Sequence, residues 1–352
     1  MIQKNVTLHM ASGDKFLPEF IDFVNGNFNK EEHLFLILRS RKSFFIRPGS
    51  NIIFLDDYSS SFAKYKIVKN NLKNCSKVIF HGFFNINLIL FFSLNFRVLK
   101  KCIWVIWGGD LYVKYSDRNR VFESFLNLFR KFIFGRLGAV VSFLVSDYAY
   151  AKKKFGVKAP HLKSFVYLSN LFRGSFSING ENSHLNILIG NSATKSNNHF
   201  DAFCKIKKSV TSENYTVFAP LSYGNRSYSD EVVRLGRSLF GDKFVPLLDF
   251  MNKSSYEKFL EKIDIAIFNH DRQQALGNTI QLLGLGKKVY LKKNVSQFKE
   301  FKSLGVKIFD VDSLELSKID SQSAKSNHDL IVRYFSEEKL RDQLEEIFNY
   351  KF

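Results

Sequence analysis

The sequence predicts an α/β protein with two Rossmann-like domains, each a doubly wound parallel sheet. Short apolar segments alternate with helical segments in both halves of the chain, as in parallel sheets that helices cover on both faces. The length of 352 residues is that of roughly two domains. A stretch rich in Gly, Ser and Asn at 173–184 separates the halves and predicts the domain boundary.

In the first half, apolar segments predict six strands, separated by segments that include the Phe- and Leu-rich stretches 83–96 and 122–134. Each predicted strand is short and apolar, which is typical of a strand buried on both faces. The predicted strands are Val6–Met10, Leu34–Leu38, Ile52–Leu55, Lys77–Phe80, Ile103–Ile106 and Ala139–Val145.

The second half alternates more clearly between strands and helices. Ser254 and Glu257 form a capping box that predicts the start of a helix ending near Ile263, and an amphipathic helix is expected at Glu337–Phe348. The predicted strands are Asn186–Ile189, Tyr215–Ala219, Phe244–Leu248, Asp264–Phe268, Lys288–Leu291 and Val306–Phe309.

These elements predict a first domain at 1–175, a second at 185–335 and a last helix within 336–352 that crosses back to the first domain. Two Rossmann-like domains that face each other across a cleft, with such a helix, describe the glycosyltransferase-B fold. At this stage the assignment is an analogy between folds.

The charge of the chain predicts a polyanionic partner. Lys and Arg number 52 against 33 Asp and Glu, and residues 1–180 alone carry 27 against 11, a net charge of +16. Nucleic acid, an anionic membrane surface and phosphorylated substrates all fit this imbalance. Three widely spaced cysteines argue against a disulfide framework and favour the cytosol.

Neither a signal peptide nor a membrane-spanning segment is expected. The amino terminus lacks a charged segment followed by an apolar one. The longest uncharged run, between Lys77 and Arg97, contains His81 and three Asn residues, which is too polar for a spanning helix. We therefore expect a soluble chain that can bind a surface.

Two sequences in the second half follow predicted strands and suit a diphosphate. After the first, Gly190 allows a ligand to approach the backbone, while Asn191 and Ser192 offer hydrogen bonds to phosphate oxygens. An ordinary strand-to-helix turn with Asn and Ser caps explains the same residues. The second sequence, at 272–279, places Arg272, Gln273 and Gln274 before Gly277-Asn278-Thr279 at the start of a helix, whose N-terminus attracts anions.

Two sequences in the first half suit acid–base chemistry. Asp110 follows Trp107-Gly108-Gly109, where a carboxylate can act as a general base or simply cap a helix. His81 ends a strand and can act as a base, contact phosphates, orient an acceptor or pack in the core. His9 and Asp14, near the end of the first strand, are lesser candidates with capping as the alternative.

Taken together, four segments resemble the bacterial 4-acetamido-4,6-dideoxygalactose (Fuc4NAc) transferase family. They are His81–Asn85, Trp104–Tyr112, Ile187–Ser192 and Arg272–Thr279. The resemblance implies a glycosyltransferase-B enzyme that moves Fuc4NAc from its dTDP-sugar to an undecaprenyl-diphosphate-linked saccharide in enterobacterial common antigen synthesis. It also implies a peripheral protein on the cytoplasmic face of the bacterial inner membrane. An O-antigen or capsule pathway with another acceptor or donor sugar stays open.

We therefore predict Asp110 as the catalytic base with His81 as the second candidate, and His9, Asp14 and Trp107 near the acceptor. No cofactor and no metal are expected, because the nucleotide-sugar is a substrate and no Asp-x-Asp motif has a convincing context. The alternatives are a UDP- or GDP-sugar donor, or a basic nucleic-acid-binding protein, against which the clustering of aromatic residues in apolar runs argues. The predicted donor-binding residues are Gly190, Asn191, Ser192, Tyr223, Arg272, Gln273, Gln274, Gly277, Asn278 and Thr279.

Overall fold

The structure, a computed structural model, consists of two compact units. It describes residues 5–40, 44–83, 85–112, 120–176, 184–210 and 214–352, without the side chains of 120–123. Phe84 and most of the predicted linker therefore lie outside the described residues. One unit comprises Met1–Ser169 with Leu340–Phe352, and the other comprises Asn170–Lys339. Residues 170–175, predicted in the first domain, belong to the second unit.

The described part of the first unit contains a seven-stranded parallel sheet in the order β3-β2-β1-β4-β5-β6-β7. The order reverses between β1 and β4, which makes their carboxyl ends the switch point of this sheet. The strands are β1 (Thr7–Ala11), β2 (His33–Ile37), β3 (Ile52–Phe54), β4 (Lys77–His81), β5 (Cys102–Val105), β6 (Ala139–Ser142) and β7 (His161–Lys163), and the helices are α1 (Leu17–Asn27), α2 (Ser61–Asn74), α3 (Ile86–Leu94), α4 (Arg120–Phe134) and α5 (Val145–Phe155).

The second unit has a six-stranded parallel sheet in the order β10-β9-β8-β11-β12-β13, so its switch point lies between β8 and β11. The strands are β8 (Leu185–Ile189), β9 (Tyr215–Pro220), β10 (Phe244–Leu247), β11 (Ile265–Phe268), β12 (Lys288–Leu291) and β13 (Phe309–Asp310), and the helices are α6 (His199–Ser209), α7 (Arg226–Phe240), α8 (Lys253–Glu261), α9 (Leu276–Gly284), α10 (Ser296–Ser303) and α11 (Ser321–Tyr334). The last helix of the chain is α12 (Glu337–Asn349).

Burial explains why these strands read as apolar runs. Every residue of β1, β4, β5, β6, β11 and β12 is buried, as parallel strands covered on both faces require. The predicted capping box at Ser254 is wrong. Asn252 is the N-cap of α8, and its side chain accepts a hydrogen bond from the Ser255 amide.

The last helix, α12, lies in the first unit from Leu340 onward. The buried Lys77 ammonium donates hydrogen bonds to the carbonyl oxygens of Ile347, at 3.0 Å, and Phe348, which belong to the last turn of α12. A cation at this position also complements the negative end of the helix dipole. The Phe348 ring packs edge-on against His33 with the centroids 4.4 Å apart.

No helix among the residues with described structure combines the length and the apolar character that spanning a bilayer requires.

Candidate active site

Two loops meet at the carboxyl edge of the second sheet, at its switch point. One follows β8 and the other follows β11. The Asp271 amide donates to the Ser196 carbonyl (3.2 Å), and the Ser196 hydroxyl donates to Gln274 Oε1 (2.6 Å). The Asn198 side-chain amide donates to the Asn269 carbonyl (3.0 Å). The two polar segments predicted to bind a diphosphate, which begin at Gly190 and at Arg272, therefore form one surface.

Gly190 forms the tight turn that follows β8 on this surface. Its φ is +64°, and a Cβ there would lie 2.7 Å from Asn197 Oδ1 and 2.8 Å from His199 Nε2. The next amide, that of Asn191, donates to Asn197 Oδ1 (2.8 Å). Only glycine fits this backbone position, so the loop exposes main chain where a ligand can approach it.

The N-terminus of α9 faces the same edge of the sheet. Ala275 is the N-cap with φ +55° and provides no side-chain cap, and the first helical bond runs from the Thr279 amide to the Ala275 carbonyl. The leading amides of a helix have no intrahelical acceptor, and the helix dipole favours negative charge beside them. Gly277 lies in this first turn, and Arg272 and Gln273 lie in the loop before it with Arg272 exposed.

Several buried polar atoms in these loops lack a hydrogen-bond partner among the described residues. They include Asn191 Oδ1, His199 Nε2 and Asn269 Oδ1. Burial lowers the pKa of His199 to about 4, so the imidazole is neutral and its Nε2 is available as a donor or acceptor. Buried polar groups are ordinarily paired, so these atoms mark a place where a polar ligand would bind.

Two predicted donor-binding side chains point elsewhere. Ser192 is 2% exposed, and its hydroxyl shares a hydrogen bond with Thr194 Oγ1 (2.7 Å) and accepts one from Asn197 (3.2 Å). Thr279 is fully buried, donates to the Ala275 carbonyl (3.0 Å) and accepts from Gln297 (2.8 Å). Contrary to the sequence prediction, both hydroxyls hold the loops in shape and neither is presented to a ligand.

Two other predicted side chains make specific contacts at the surface. Asn191 Nδ2 donates to the hydroxyl of Tyr223 (2.9 Å), which is 51% exposed in the loop after β9. Asn278 Nδ2 donates to the hydroxyl of Tyr256 on α8 (2.9 Å). Tyr223 therefore lies beside the Gly190 turn, whereas the Asn278 amide serves to join α9 to α8.

In the first unit, five side chains form a continuous hydrogen-bonded chain. His33 Nδ1 lies 3.0 Å from His9 Nε2, His9 Nδ1 lies 3.0 Å from His81 Nε2, and His81 Nδ1 lies 2.8 Å from the Tyr167 hydroxyl. The indole N–H of Trp107 donates to the same hydroxyl at 2.5 Å. We name these five residues the histidine chain. Its members come from β1, β2, β4 and the loops after β5 and β7.

Neither His9 nor His81 is open to a substrate. His9 is fully buried and His81 is 4% exposed, and both ring nitrogens of each are hydrogen-bonded within the chain. Burial lowers the pKa of His81 to about 3 and that of His9 well below its usual value. In this arrangement neither imidazole contacts a substrate directly, which the predicted roles as a base or an acceptor contact require.

Asp110 is likewise a structural carboxylate. It is 1% exposed, and it accepts hydrogen bonds from the Trp104 indole (2.7 Å), the Phe83 amide (2.9 Å) and the Trp107 amide (3.0 Å). Burial raises its pKa, while the three donors act in the opposite direction. A carboxylate enclosed in this way does not reach an acceptor hydroxyl directly, and we interpret Asp110 as an organiser of the loops in place of the predicted catalytic base.

Asp14 and Trp107 remain as partly exposed candidates at this edge. Asp14 Oδ1 accepts from the amides of Phe16 (2.7 Å) and Leu17 (3.2 Å), which holds the carboxylate at the N-terminus of α1, beside the end of β1. Burial raises the pKa of Tyr167, and the negative charge of Asp14 acts in the same direction. Asp14 thus stands at the switch point of the first sheet.

Residues 16–340 match the 4-alpha-L-fucosyltransferase family, glycosyl transferase group 56. The chain belongs to this family. The match extends over most of both units and includes the loops after β4, β5, β8 and β11, but it begins after β1, His9 and Asp14. The protein is therefore a nucleotide-sugar-dependent glycosyltransferase.

Solved structures establish the fold of this group 56 protein. HepE of Anabaena, in complex with UDP and glucose, is 9% identical over 97% of this chain and 99% of its own, with a TM-score of 0.65. A glycosyltransferase of Rickettsia africae is 12% identical over 98% of both chains (TM-score 0.63), and WaaG, a glycosyltransferase involved in lipopolysaccharide biosynthesis, is 10% identical over 98% of this chain and 100% of its own (0.61). The predicted glycosyltransferase-B fold is confirmed.

Sequence reasoning missed residues that lie centrally in these sites of the group 56 chain. Asn197, His199 and Asn269 shape the loops around Gly190, and Tyr167 joins His81 to Trp107. His199 begins a helix and Tyr167 lies in no motif, so nothing local distinguished them. Only the adjacency of non-consecutive strands brings them to the sites.

Proposed function

We propose that this glycosyltransferase transfers Fuc4NAc from a dTDP-sugar to an undecaprenyl-diphosphate-linked saccharide in the synthesis of a bacterial surface polysaccharide. The family description names a fucosyl group, and both fucose and Fuc4NAc have a 6-deoxygalactose skeleton. The four sequence segments that resemble the Fuc4NAc transferases support Fuc4NAc as the sugar that is transferred. They also support enterobacterial common antigen as the product of the pathway, with an O-antigen as the alternative.

The observation that carries the donor site is the uncapped N-terminus of α9 beside the Gly190 turn, at the switch point of the second sheet. The diphosphate binds there, where main-chain amides and the helix dipole oppose its charge and Arg272 adds charge-assisted hydrogen bonds. The same groups stabilise the nucleoside diphosphate as it leaves, because they are already oriented toward the developing charge.

The acceptor reacts at the carboxyl edge of the first sheet. Its hydroxyl oxygen bonds to the anomeric carbon of the donor, the bond from that carbon to the diphosphate oxygen breaks, and the hydroxyl proton passes to a carboxylate. We assign this proton to Asp14 in place of Asp110, because Asp14 is partly exposed at the switch point whereas Asp110 is enclosed.

The donor site can be tested with a single methyl group. Gly190→Ala places a Cβ against Asn197 and His199 and disfavours the φ of +64°, so we expect the nucleotide to bind at least about tenfold more weakly. Thermal shifts with dTDP, UDP and GDP measure the binding, since a ligand at 100 times its Kd stabilises the fold by about 2.7 kcal/mol.

Gly26→Ala is the matched control for that experiment, because Gly26 lies in α1 and has no atom within 4 Å of an added Cβ. The two variants should differ in nucleotide binding, with dTDP preferred in the wild type. Equal binding by both variants would remove the donor site from this loop. Mass spectrometry of products from dTDP-Fuc4NAc, UDP-sugars and GDP-sugars with a polyprenyl-diphosphate acceptor then identifies the donor.

An apolar patch on α3, α4 and the turn after α3 supports peripheral binding to the inner membrane. Its exposed side chains are Leu90, Leu94, Phe96, Phe125 and Leu128. We name these five residues the apolar patch. Exposed apolar side chains on two helices that pack against each other are typical of an interaction surface.

Exposed basic residues lie on or next to the segments that carry the apolar patch. They are Arg97, Lys100, Lys131 and Arg136, and each contributes about 1 kcal/mol near an anionic lipid surface. Arg130 of α4 is buried and does not take part. The basic first half is thus proposed to serve the lipid surface and the lipid-linked diphosphate, with no nucleic-acid partner.

A further inference from the structure

The histidine chain has a direction, which Trp107 sets. An indole N–H only donates, so the Tyr167 hydroxyl accepts from Trp107 and directs its own proton elsewhere. Among the described residues, the acceptor within reach of that proton is His81 Nδ1, at 2.8 Å. The direction of this hydrogen bond determines the direction of the two bonds between the imidazoles.

Each imidazole in the chain is neutral, since burial lowers the pKa of His81 to about 3, that of His33 to about 4 and that of His9 well below its usual value. A neutral imidazole has one donor and one acceptor nitrogen. Because His81 accepts at Nδ1, it donates from Nε2 to His9, and His9 in turn donates from Nε2 to His33. All three rings therefore carry their proton on Nε2.

The chain ends at opposite edges of the first sheet. His33, at the start of β2, lines a cavity of about 210 Å³ together with Glu32 and Asn349. Trp107, after β5, lies at the carboxyl edge. A buried polar chain across a sheet is costly compared with apolar side chains of the same size, unless the fixed geometry of its members serves a purpose.

The histidine chain holds the indole ring of Trp107 in one orientation. Its main-chain N–H donates to Asp110 Oδ1 (3.0 Å) and its ring N–H donates to Tyr167 (2.5 Å), so backbone and ring are anchored separately. The indole is nevertheless partly exposed, and the ring of Phe16 meets it edge-on with the centroids 5.6 Å apart. Asp14 lies two residues before Phe16 and is partly exposed as well.

A fixed aromatic pair beside a carboxylate suits a sugar ring. Aromatic faces pack against the C–H side of a pyranose, and a carboxylate accepts hydrogen bonds from its hydroxyl groups, so apolar and polar recognition meet in one place. A phosphate would be repelled by Asp14, and a purely apolar ligand would remove water from the charged carboxylate at a cost in free energy.

We propose that Trp107 and Phe16 bind a pyranose ring of the acceptor saccharide and that Tyr167, His81, His9 and His33 are positioning residues that hold the indole for it. This inference rests on the proposed function, since it names the acceptor subsite of that reaction. Substrate touches Trp107, Phe16 and Asp14, whereas the other four residues act through the Trp107 ring.

The test compares Tyr167→Phe with Tyr148→Phe. Tyr148 lies in the same unit and its hydroxyl donates to a main-chain carbonyl, that of Ala159 (2.7 Å), outside the histidine chain. Protein labelled with ¹⁵N at Trp shows two indole N–H signals, from Trp104 and Trp107, which a Trp107→Phe variant assigns. The probes are the methyl glycosides of glucose, galactose, N-acetylglucosamine and glucuronic acid, titrated to 100 mM.

We expect at least one glycoside to shift the Trp107 signal and leave the Trp104 signal in place. Tyr167→Phe should raise the half-saturation concentration about tenfold, while Tyr148→Phe keeps it within about twofold. In the transfer assay, Tyr167→Phe should raise the KM for the acceptor and leave the KM for the donor unchanged.

The imidazole tautomers provide a second readout. The ¹⁵N shifts of the wild-type imidazoles should report protons on Nε2 of His9, His33 and His81, and Tyr167→Phe should release this single arrangement. A proton on Nδ1 of His81 in the wild type overturns the proposal, as does glycoside binding that Tyr167→Phe leaves unaltered or a panel that never moves the Trp107 signal. Absence of transfer with every nucleotide-sugar, with glycoside binding intact, would instead refute the proposed function alone.

Discussion

Asp110 joins three segments of the chain through one carboxylate. Its oxygens accept hydrogen bonds from the amide of Phe83, which follows β4, from the indole of Trp104 in β5 and from the amide of Trp107 after β5. The loops after β4 and β5 thus share a single buried acceptor. A carboxylate with three donors at 2.7–3.0 Å is an organising group, and its removal should be felt in stability before it is felt in chemistry.

Asp110→Asn provides the test at this scale. The amide group that replaces one oxygen cannot accept from its former donors, so we expect the free energy of unfolding to fall by about 2 kcal/mol. Urea denaturation measures the loss, and the exposed Asp249→Asn is the control. Unchanged stability together with a loss of turnover of about a thousandfold would restore the catalytic assignment.

The residue types of the sites were predictable, but their roles were not. Gly190 and Asp110 stand out in the sequence because they follow apolar strands. Asp110 is enclosed by the amide of Phe83, 27 residues earlier, and His81 is enclosed by Tyr167, 86 residues later. Periodicity and motif spacing carry no information on contacts of that range, so exposure had to come from the structure.

The strands and helices were largely predictable, because buried parallel strands are apolar throughout. The strand β7 was missed, since His161 and Lys163 flank a single buried Leu162 at the edge of the sheet. The strand predicted at Ala139–Val145 ends at Ser142, and Val145 already belongs to α5. Strand order was not predictable, because pairing of β1 with β4 depends on contacts between distant segments.

The apolar patch on α3 and α4 makes a prediction at the scale of elements. Leu94 is 83% exposed, and Leu94→Glu places a carboxylate where we propose an anionic lipid surface, so binding to vesicles with anionic lipid should weaken about tenfold. Sedimentation with vesicles of neutral and of anionic composition measures it. Raised salt should weaken binding of the wild type as well.

Phe250→Glu is the matched control, since Phe250 is also 83% exposed but lies in the second unit. It should bind vesicles as the wild type does. Wild-type binding that is indifferent to lipid charge, or an equal loss in both variants, would contradict the proposed membrane surface.

At the scale of the whole molecule, buried neutral imidazoles predict sensitivity to acid. Burial lowers the folded-state pKa of five of the eight histidines: His9, His33, His81, His199 and His270. Between those values and 6.5, the unfolded chain binds more protons than the folded chain, so stability falls as the pH falls below 6.5. Each such histidine contributes a loss of about 1 kcal/mol per pH unit.

Two carboxyl groups act in the opposite sense. Burial raises the pKa of Asp110 and raises that of Asp147 to about 6, so the folded chain takes up protons there first and gains some stability on acidification. Five imidazoles outweigh two carboxyls. Thermal unfolding should therefore show a midpoint that decreases from pH 7.5 to pH 5, and a constant midpoint over that range would contradict this picture.

The hydrogen bonds from Lys77 to the last turn of α12 bear on the order in which the two units fold during synthesis. Residues 170–339 form a unit from one continuous stretch, which can fold as soon as it leaves the ribosome. The other unit contains the first 169 residues but takes its closing helix from residues 340–352. The first unit, whose first 169 residues are synthesised before the second unit, can therefore complete its fold only after the second unit has been synthesised.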